Sequence, residues 1–164
     1  MIFKQVFDKR SSTYTYFIAS AKGREAVIID PVIENVNNYI NLLNYYNLKL
    51  VKVIDTHIHA DHITGASKLK TRTNCTTVMG QNTPAETVDI KLHDDELLKI
   101  DQLEIRAIYT PGHTSDSYSF LMDKYLFSGD TLLINSTGRT DFQNGNSKDA
   151  YESIFNKLLK LPED

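Results

Sequence analysis

A chain of 164 residues, 41% of them hydrophobic, can fill one substantial core and is too short for two ordinary domains, so one domain over residues 1–164 is expected. Eighteen basic and 21 acidic residues spread along the chain, for a net charge of −3, give no electrostatic reason to expect nucleic acid or a membrane as partner. The single cysteine, Cys75, excludes an internal disulfide and a thiolate zinc cluster, and no apolar stretch reaches signal or membrane length, so a cytoplasmic protein is expected.

The chain opens with three strand-like stretches, over residues 3–7, over 13–19 with alternating tyrosines, and over 25–30, which is rich in β-branched residues. Residues 35–47 then place Val36, Tyr39, Ile40, Leu43 and Tyr46 at spacings of three and four, one apolar stripe along a helix. Residues 50–54, apolar apart from Lys52, read as a strand buried on both faces, which delivers Asp55 and a histidine motif at its C-terminal end. A helix is expected to open near Ile63-Thr64-Gly65.

Beyond Gly80 come shorter strands over 97–100, 103–109, 117–121 and 125–127, with turns at Asp101-Gln102 and Asp123-Lys124, the pattern of an antiparallel meander. Residues 105–110 run into His113 and residues 125–128 into Gly129-Asp130, so the chain returns to one rim. Ser147 is expected to cap a last helix with the stripe Tyr151, Ile154, Phe155, Leu158 and Leu159, stopped at Pro162. Strands, helix, strands, helix imply a layered α/β fold, a sheet sandwich with helices outside.

Four of the five histidines lie in Thr56-His57-Ile58-His59-Ala60-Asp61-His62 and Thr110-Pro111-Gly112-His113-Thr114, a concentration that marks a metal site. Alternation along an extended segment sends His57 and His59 to the same side, Asp61 and His62 offer a second cluster beside them, and His113 approaches from a separate loop. His93, isolated in Lys91-Leu92-His93-Asp94, reads as an ordinary surface or core histidine. Cys75 reads as a small apolar filler, with no histidine nearby in sequence to activate it.

The order His57-Ile58-His59-Ala60-Asp61-His62, then His113 after Pro111-Gly112, then Ser128-Gly129-Asp130 resembles the metallo-β-lactamase superfamily. Within it, Ile29-Asp30-Pro31-Val32, Asp61-His62-Ile63-Thr64-Gly65 and above all Gly138-Arg139-Thr140-Asp141-Phe142-Gln143 resemble the persulfide dioxygenase branch. The resemblance runs from Phe3 to the last residue. It implies an αββα metallo-β-lactamase-type sandwich whose rim holds one non-haem Fe(2+), with His57, His113 and Asp130 as ligands. Two histidines and one carboxylate leave positions open on iron, as an oxygenase requires. The implied reaction is oxidation of glutathione persulfide by O2 to sulfite and glutathione.

His59, Asp61 and His62 fill positions that the dinuclear hydrolases of the superfamily use as further metal ligands; in the iron branch they would orient the ligand imidazoles and hold water. Arg139 is read as a guanidinium clamp on a glutathione carboxylate, or else as a loop arginine paired with Asp141. Asp30 either braces the histidine loop or initiates a turn before Pro31. A homodimer is also possible on the family's habits.

Two departures stand out. The family follows the histidine of its second motif with Thr-Pro-Gly, whereas here Thr114-Ser115-Asp116 loses a residue that tolerates positive φ and leaves Asp116 to manage the turn. The chain also stops at Leu161-Pro162-Glu163-Asp164, short of the family's final strand and Tyr-Pro-(small)-His-Asp-Tyr motif, so a C-terminally truncated sandwich with an exposed edge is expected. The absent histidine binds the second metal in the dinuclear hydrolases, which favours mononuclear iron. The competing readings are a glyoxalase II-like thioesterase that hydrolyses S-acylglutathione with two Zn(2+), and a non-catalytic metal-binding remnant.

Overall fold

The structure, a computed structural model, describes residues 1–162. β1 (Ile2–Asp8), β2 (Thr13–Ala19) and β3 (Glu25–Ile29) run antiparallel, and β4 (Lys49–Ile54), β5 (Thr76–Gly80) and β6 (Ile90–Leu92) continue the same sheet in parallel from β3. The result is a six-stranded sheet in chain order. Two helices, α1 (Val36–Tyr46) between β3 and β4 and α2 (Ala66–Thr73) between β4 and β5, make the crossovers that parallel neighbours need. β7 (Leu97–Ile100), β8 (Leu103–Tyr109), β9 (Tyr118–Met122) and β10 (Tyr125–Phe127) form the expected antiparallel meander, ordered β10-β9-β8-β7.

Strand alternation divides the core into two layers. Ile18, Val27, Ile29 and Ile54 face Leu98, Ile105, Phe120 and Phe127 of the second sheet. Phe17, Ile28 and Val53, on the opposite face of the first sheet, pack with Tyr39 and Leu43 of α1 and Leu69 of α2. β4 is therefore sandwiched, which explains its apolar run of Leu50, Val51, Val53 and Ile54, interrupted only by the half-buried Lys52. Cys75 is a buried free thiol in the helix-side layer.

Several elements differ from the sequence expectation. α2 buries only Ala66 and Leu69, so it carries no apolar stripe to read; β5 has its last four residues buried, and β6 is three residues long. The last helix is α-helical only over α3 (Ser147–Tyr151), then widens into a π-type stretch at Glu152–Lys157 and tightens to a 3-10 turn at Leu158–Lys160. The expected stripe splits: Ile154 and Leu158 join Ala150 in burial, while Tyr151, Phe155 and Leu159 stay exposed. The cap is Asn146, whose side chain accepts from the amides of Lys148 and Asp149 at 2.9 and 3.2 Å. Ser147 instead shares a hydrogen bond with Thr140 at 2.8 Å.

Two contacts hold the sheets together at opposite ends. Near the rim, the Tyr118 ring lies flat on Gly80, where an added Cβ would come within 2.0 Å of the ring. Gly80→Ala should lower stability by about 3 kcal/mol, because this overpacking pushes a buried ring out of place; urea unfolding reads the change.

At the far end, Asp101 in the β7–β8 turn accepts from Arg24 and Ser20 at the β2–β3 turn. The Arg24 hydrogen bond, then that of Ser20, holds the Asp101 carboxyl down at about 2. A carboxyl lowered in the folded state contributes stability above the ordinary aspartate range and loses it as pH falls through the folded value. The difference in urea midpoint between wild type and Asp101→Asn should therefore shrink steadily from about pH 5 to about pH 2.

Candidate metal centre

At the end of β4 the chain leaves the sheet, and residues 55–63 cross the rim outside any strand or helix, with backbone hydrogen bonds at the Asp55 amide and at the Thr56 and Ile63 carbonyls. Side chains supply what the backbone lacks. Asp30, which follows β3 with φ of 50°, accepts from the Thr56 amide at 2.7 Å and the Thr56 hydroxyl at 3.0 Å, and faces His59 Nε2 at 3.1 Å. Of the two readings of Asp30, the structure displays the contacts of a brace. Asp55 accepts from the Thr64 hydroxyl at 2.8 and 2.9 Å and closes the loop ahead of α2.

His113 arrives from the end of β8. Gly112, with φ of 143°, is pressed against α3 so closely that a Cβ would meet the Ala150 Cα at 2.4 Å. The Thr131 hydroxyl donates to the Thr110 carbonyl at 3.2 Å, tying this turn to the loop that carries Asp130. His57, His113 and Asp130 consequently each bring a ligand atom to within 4.8 Å of the others. The two rings stand almost perpendicular with centroids 5.0 Å apart, and His113 Nε2 lies 3.5 Å from Asp130 Oδ2.

The hydrogen bonds also set the tautomers. The Thr56 hydroxyl gives its only proton to Asp30, so it must accept from His57 Nδ1, 2.9 Å away. His113 Nδ1 lies 2.8 Å from the Arg139 carbonyl, which can only accept. In the neutral rings both lone pairs then sit on Nε2, the form a metal needs. Burial first, and then the neighbouring His59, push His57 down to about 3, which keeps it neutral across the working range. Burial raises the Asp130 carboxyl against the pull of His113. A cation shared by these groups would offset the partial desolvation of that half-exposed carboxylate.

A second group, His59, Asp61 and His62, also lies within 4.8 Å. His62 Nδ1 faces Asp61 at 3.1 Å and Thr13 at 3.3 Å, while its Nε2 is buried with no hydrogen-bond partner. His59 points its Nε2 toward Asp30 and, at 3.9 Å, toward Asp55, while its Nδ1 lies 3.9 Å from Asp61 on the side of this second group. Burial alone would lower His59, but Asp30 and then Asp55 outweigh it and lift the ring to about 9, so without an ion it is an imidazolium. Burial raises Asp55 to about 7.

Arg139 is paired in bidentate fashion with Asp141, at 2.8 and 3.0 Å, and lies over the Phe142 ring. What it presents to His113 is its carbonyl. His93 stands apart from both clusters. Sequence reasoning missed Thr56 and underread Asp116 and Gln143. Asp116, expected to take a positive-φ turn position, does not; its buried carboxylate accepts from the Ile58 amide at 3.2 Å. Gln143 Nε2 donates to the Ile58 carbonyl at 3.1 Å.

Two stacked sheets with helices outside, and histidines and aspartates gathered from three loops at one rim, define a layered α/β scaffold with a candidate metal centre at its rim. The chain belongs to the metallo-beta-lactamase superfamily, which it matches over residues 8–164. Among its relatives, the human persulfide dioxygenase ETHE1, mitochondrial, is 35% identical over 167 residues, covering all of this chain and 65% of that protein. A hydroxyacylglutathione hydrolase of Dictyostelium discoideum is 34% identical over 160 residues, 92% of this chain and 58% of the relative. The chain thus spans less than two thirds of the length of these relatives. The crystal structure of ETHE1 from Myxococcus xanthus superposes with a TM-score of 0.96 at 44% identity, covering 99% of this chain and 72% of that one. BLEG-1, a B3 metallo-beta-lactamase, follows at 0.86 and 28%, covering 99% and 88%. Among the described residues no helix is long and apolar enough to cross a membrane.

Asp30→Ala would leave the Thr56 amide, the Thr56 hydroxyl and the His59 imidazolium without their acceptor. Stability should fall by about 3 kcal/mol in urea unfolding. Metal affinity, read by titration, should fall roughly 10- to 100-fold as the His57 ring loses its anchor.

Proposed function

We propose that this chain carries the iron centre of a persulfide dioxygenase, which oxidises glutathione persulfide with O2 to sulfite and glutathione. His57, His113 and Asp130 would hold a single Fe(2+). The observation that carries the reading is the convergence of two imidazoles, both with Nδ1 hydrogen-bonded and Nε2 left over, on one carboxylate. The kinship with persulfide dioxygenases at 35% and 44% identity supports it. An Fe(2+) with this ligand set offers open positions for the persulfide sulfur and for O2.

The protein's share of the work is to hold these groups still and to receive the substrate. The hydrogen-bond chain from His57 through Thr56 to Asp30 stops the first imidazole from rotating, and the Arg139 carbonyl does the same for His113. On the α2 side of the histidine loop, a cavity of about 800 Å³ with the capacity for a peptidic thiol reaches the centre at His57. It is lined also by His59, His62, Ile63, Val78 and Lys70, whereas His113 and Asp130 are not part of its wall. Overall, persulfide, O2 and water give glutathione and sulfurous acid, with water supplying the third sulfite oxygen and the thiol hydrogen.

A glyoxalase II-like thioesterase with two zinc ions has one observation in its favour, the buried unpartnered Nε2 of His62 in the second cluster. Against it stands the proton on His59 that Asp30 and Asp55 favour and that an ion at its Nδ1, 3.9 Å from Asp61, would have to displace. Metal analysis and oxygen electrode measurements separate the readings. Purified protein should hold roughly one iron per chain and consume O2 with glutathione persulfide while forming sulfite. A zinc pair together with hydrolysis of S-lactoylglutathione would overturn the proposal, and a folded, iron-loaded sample that takes up no O2 would favour a non-catalytic remnant.

A further inference from the structure

The backbone between His57 and His59 is held at both of its polar groups by side chains from elsewhere. The Ile58 amide donates to Asp116 Oδ2 at 3.2 Å, and the Ile58 carbonyl accepts from Gln143 Nε2 at 3.1 Å. Neither group has a strand or helix partner, because this segment belongs to no regular element. The amide lies in the peptide that leaves the His57 Cα, and the carbonyl in the peptide that enters the His59 Cα. Holding these two planes restrains one backbone rotation at each histidine, and with it the direction in which each imidazole projects.

The clamping side chains come from the segments that carry the other ligand candidates. Asp116 is 4% exposed and lies three residues beyond His113. Gln143 lies in the loop that follows Asp130, at φ of 45°, with Asn144 at 57°. Two successive left-handed positions without glycine persist where surrounding contacts hold the loop. One such contact is the Gly145 amide donating to the Phe142 carbonyl at 2.7 Å.

We propose that Asp116 and Gln143 are positioning residues that grip Ile58 from opposite sides, so that the loops bearing His57, His113 and Asp130 are already assembled when a metal ion arrives. The inference rests on the reading of those three residues as the metal site. Co(2+) serves as probe, since its visible absorption reports ligand geometry independently of turnover.

In the full chain, Asp116→Ala and Gln143→Ala should each raise the Co(2+) dissociation constant about 10-fold and alter the visible spectrum. Asp116→Asn, whose side-chain carbonyl can accept from the same amide, should stay within about twofold of wild type. Unfolding midpoints of the metal-free proteins, followed by circular dichroism, separate lost stability from lost positioning. Unchanged affinity and spectrum in both alanine variants would overturn the clamp, as would an asparagine variant as weak as the alanine one. If Asp116→Ala does not fold, the half-exposed Gln143 and the asparagine variant decide. A wild-type chain that binds no Co(2+) removes the metal site and the clamp with it, whereas tight wild-type binding with indifferent variants removes the clamp alone.

Discussion

The rim is organised around one buried carboxylate, Asp30. Taking such a charge out of water costs several kcal/mol unless hydrogen bonds and an opposite charge replace the lost solvent. The chain supplies the Thr56 amide, the Thr56 hydroxyl and the His59 ring. Burial pushes the Asp30 carboxyl up, but His59 beside it more than offsets this and keeps it below the ordinary range. Meeting that demand draws the histidine loop back over the end of β3. It also leaves the Thr56 hydroxyl with only a lone pair to offer His57, and so decides which nitrogen of His57 is free.

The same carboxylate makes the two histidines of the first motif unlike each other. His57 is buried, neutral and turned toward His113 and Asp130, whereas His59 is charged and turned inward to the acid pair. The His59 Nδ1 lies 3.9 Å from Asp61, so an ion in the second cluster could be met there while Nε2 keeps its contact with Asp30, at the cost of the Nδ1 proton. His62 has no such tie at Nε2. The charges behind the ligands thus bear on the second site, because Asp30 and Asp55 favour the protonated His59 ring and an ion must displace that proton.

How far the sequence could be read depended on whether a feature was written in periodicity or in contacts. β4 was legible because burial on both faces demands an apolar run, and α1 because one face packs on the sheet. α2 was not, since it buries only Ala66 and Leu69. The split stripe of the last helix follows from its widened turn, which changes the angle between successive residues in a way no 3.6-residue template anticipates. At the rim, the order of histidines and aspartates was visible in the sequence. The groups that fix them were hidden, because Thr56, Asp116 and Gln143 act over long sequence separations and belong to residue types that are common in loops.

Arg139 shows how a motif can matter through its backbone. The guanidinium is occupied by Asp141 and rests over Phe142, which shapes the loop so that the Arg139 carbonyl meets His113 Nδ1. One residue earlier, the Gly138 amide donates to the Asp130 carbonyl at 2.8 Å; four residues later, Gln143 reaches Ile58. A single six-residue stretch therefore touches all three segments that bear the clustered residues. Substitutions within it would be felt as misplacement of those residues even where no side chain of the stretch meets the substrate, because a rim assembled from loops has no sheet ladder to hold its parts in register.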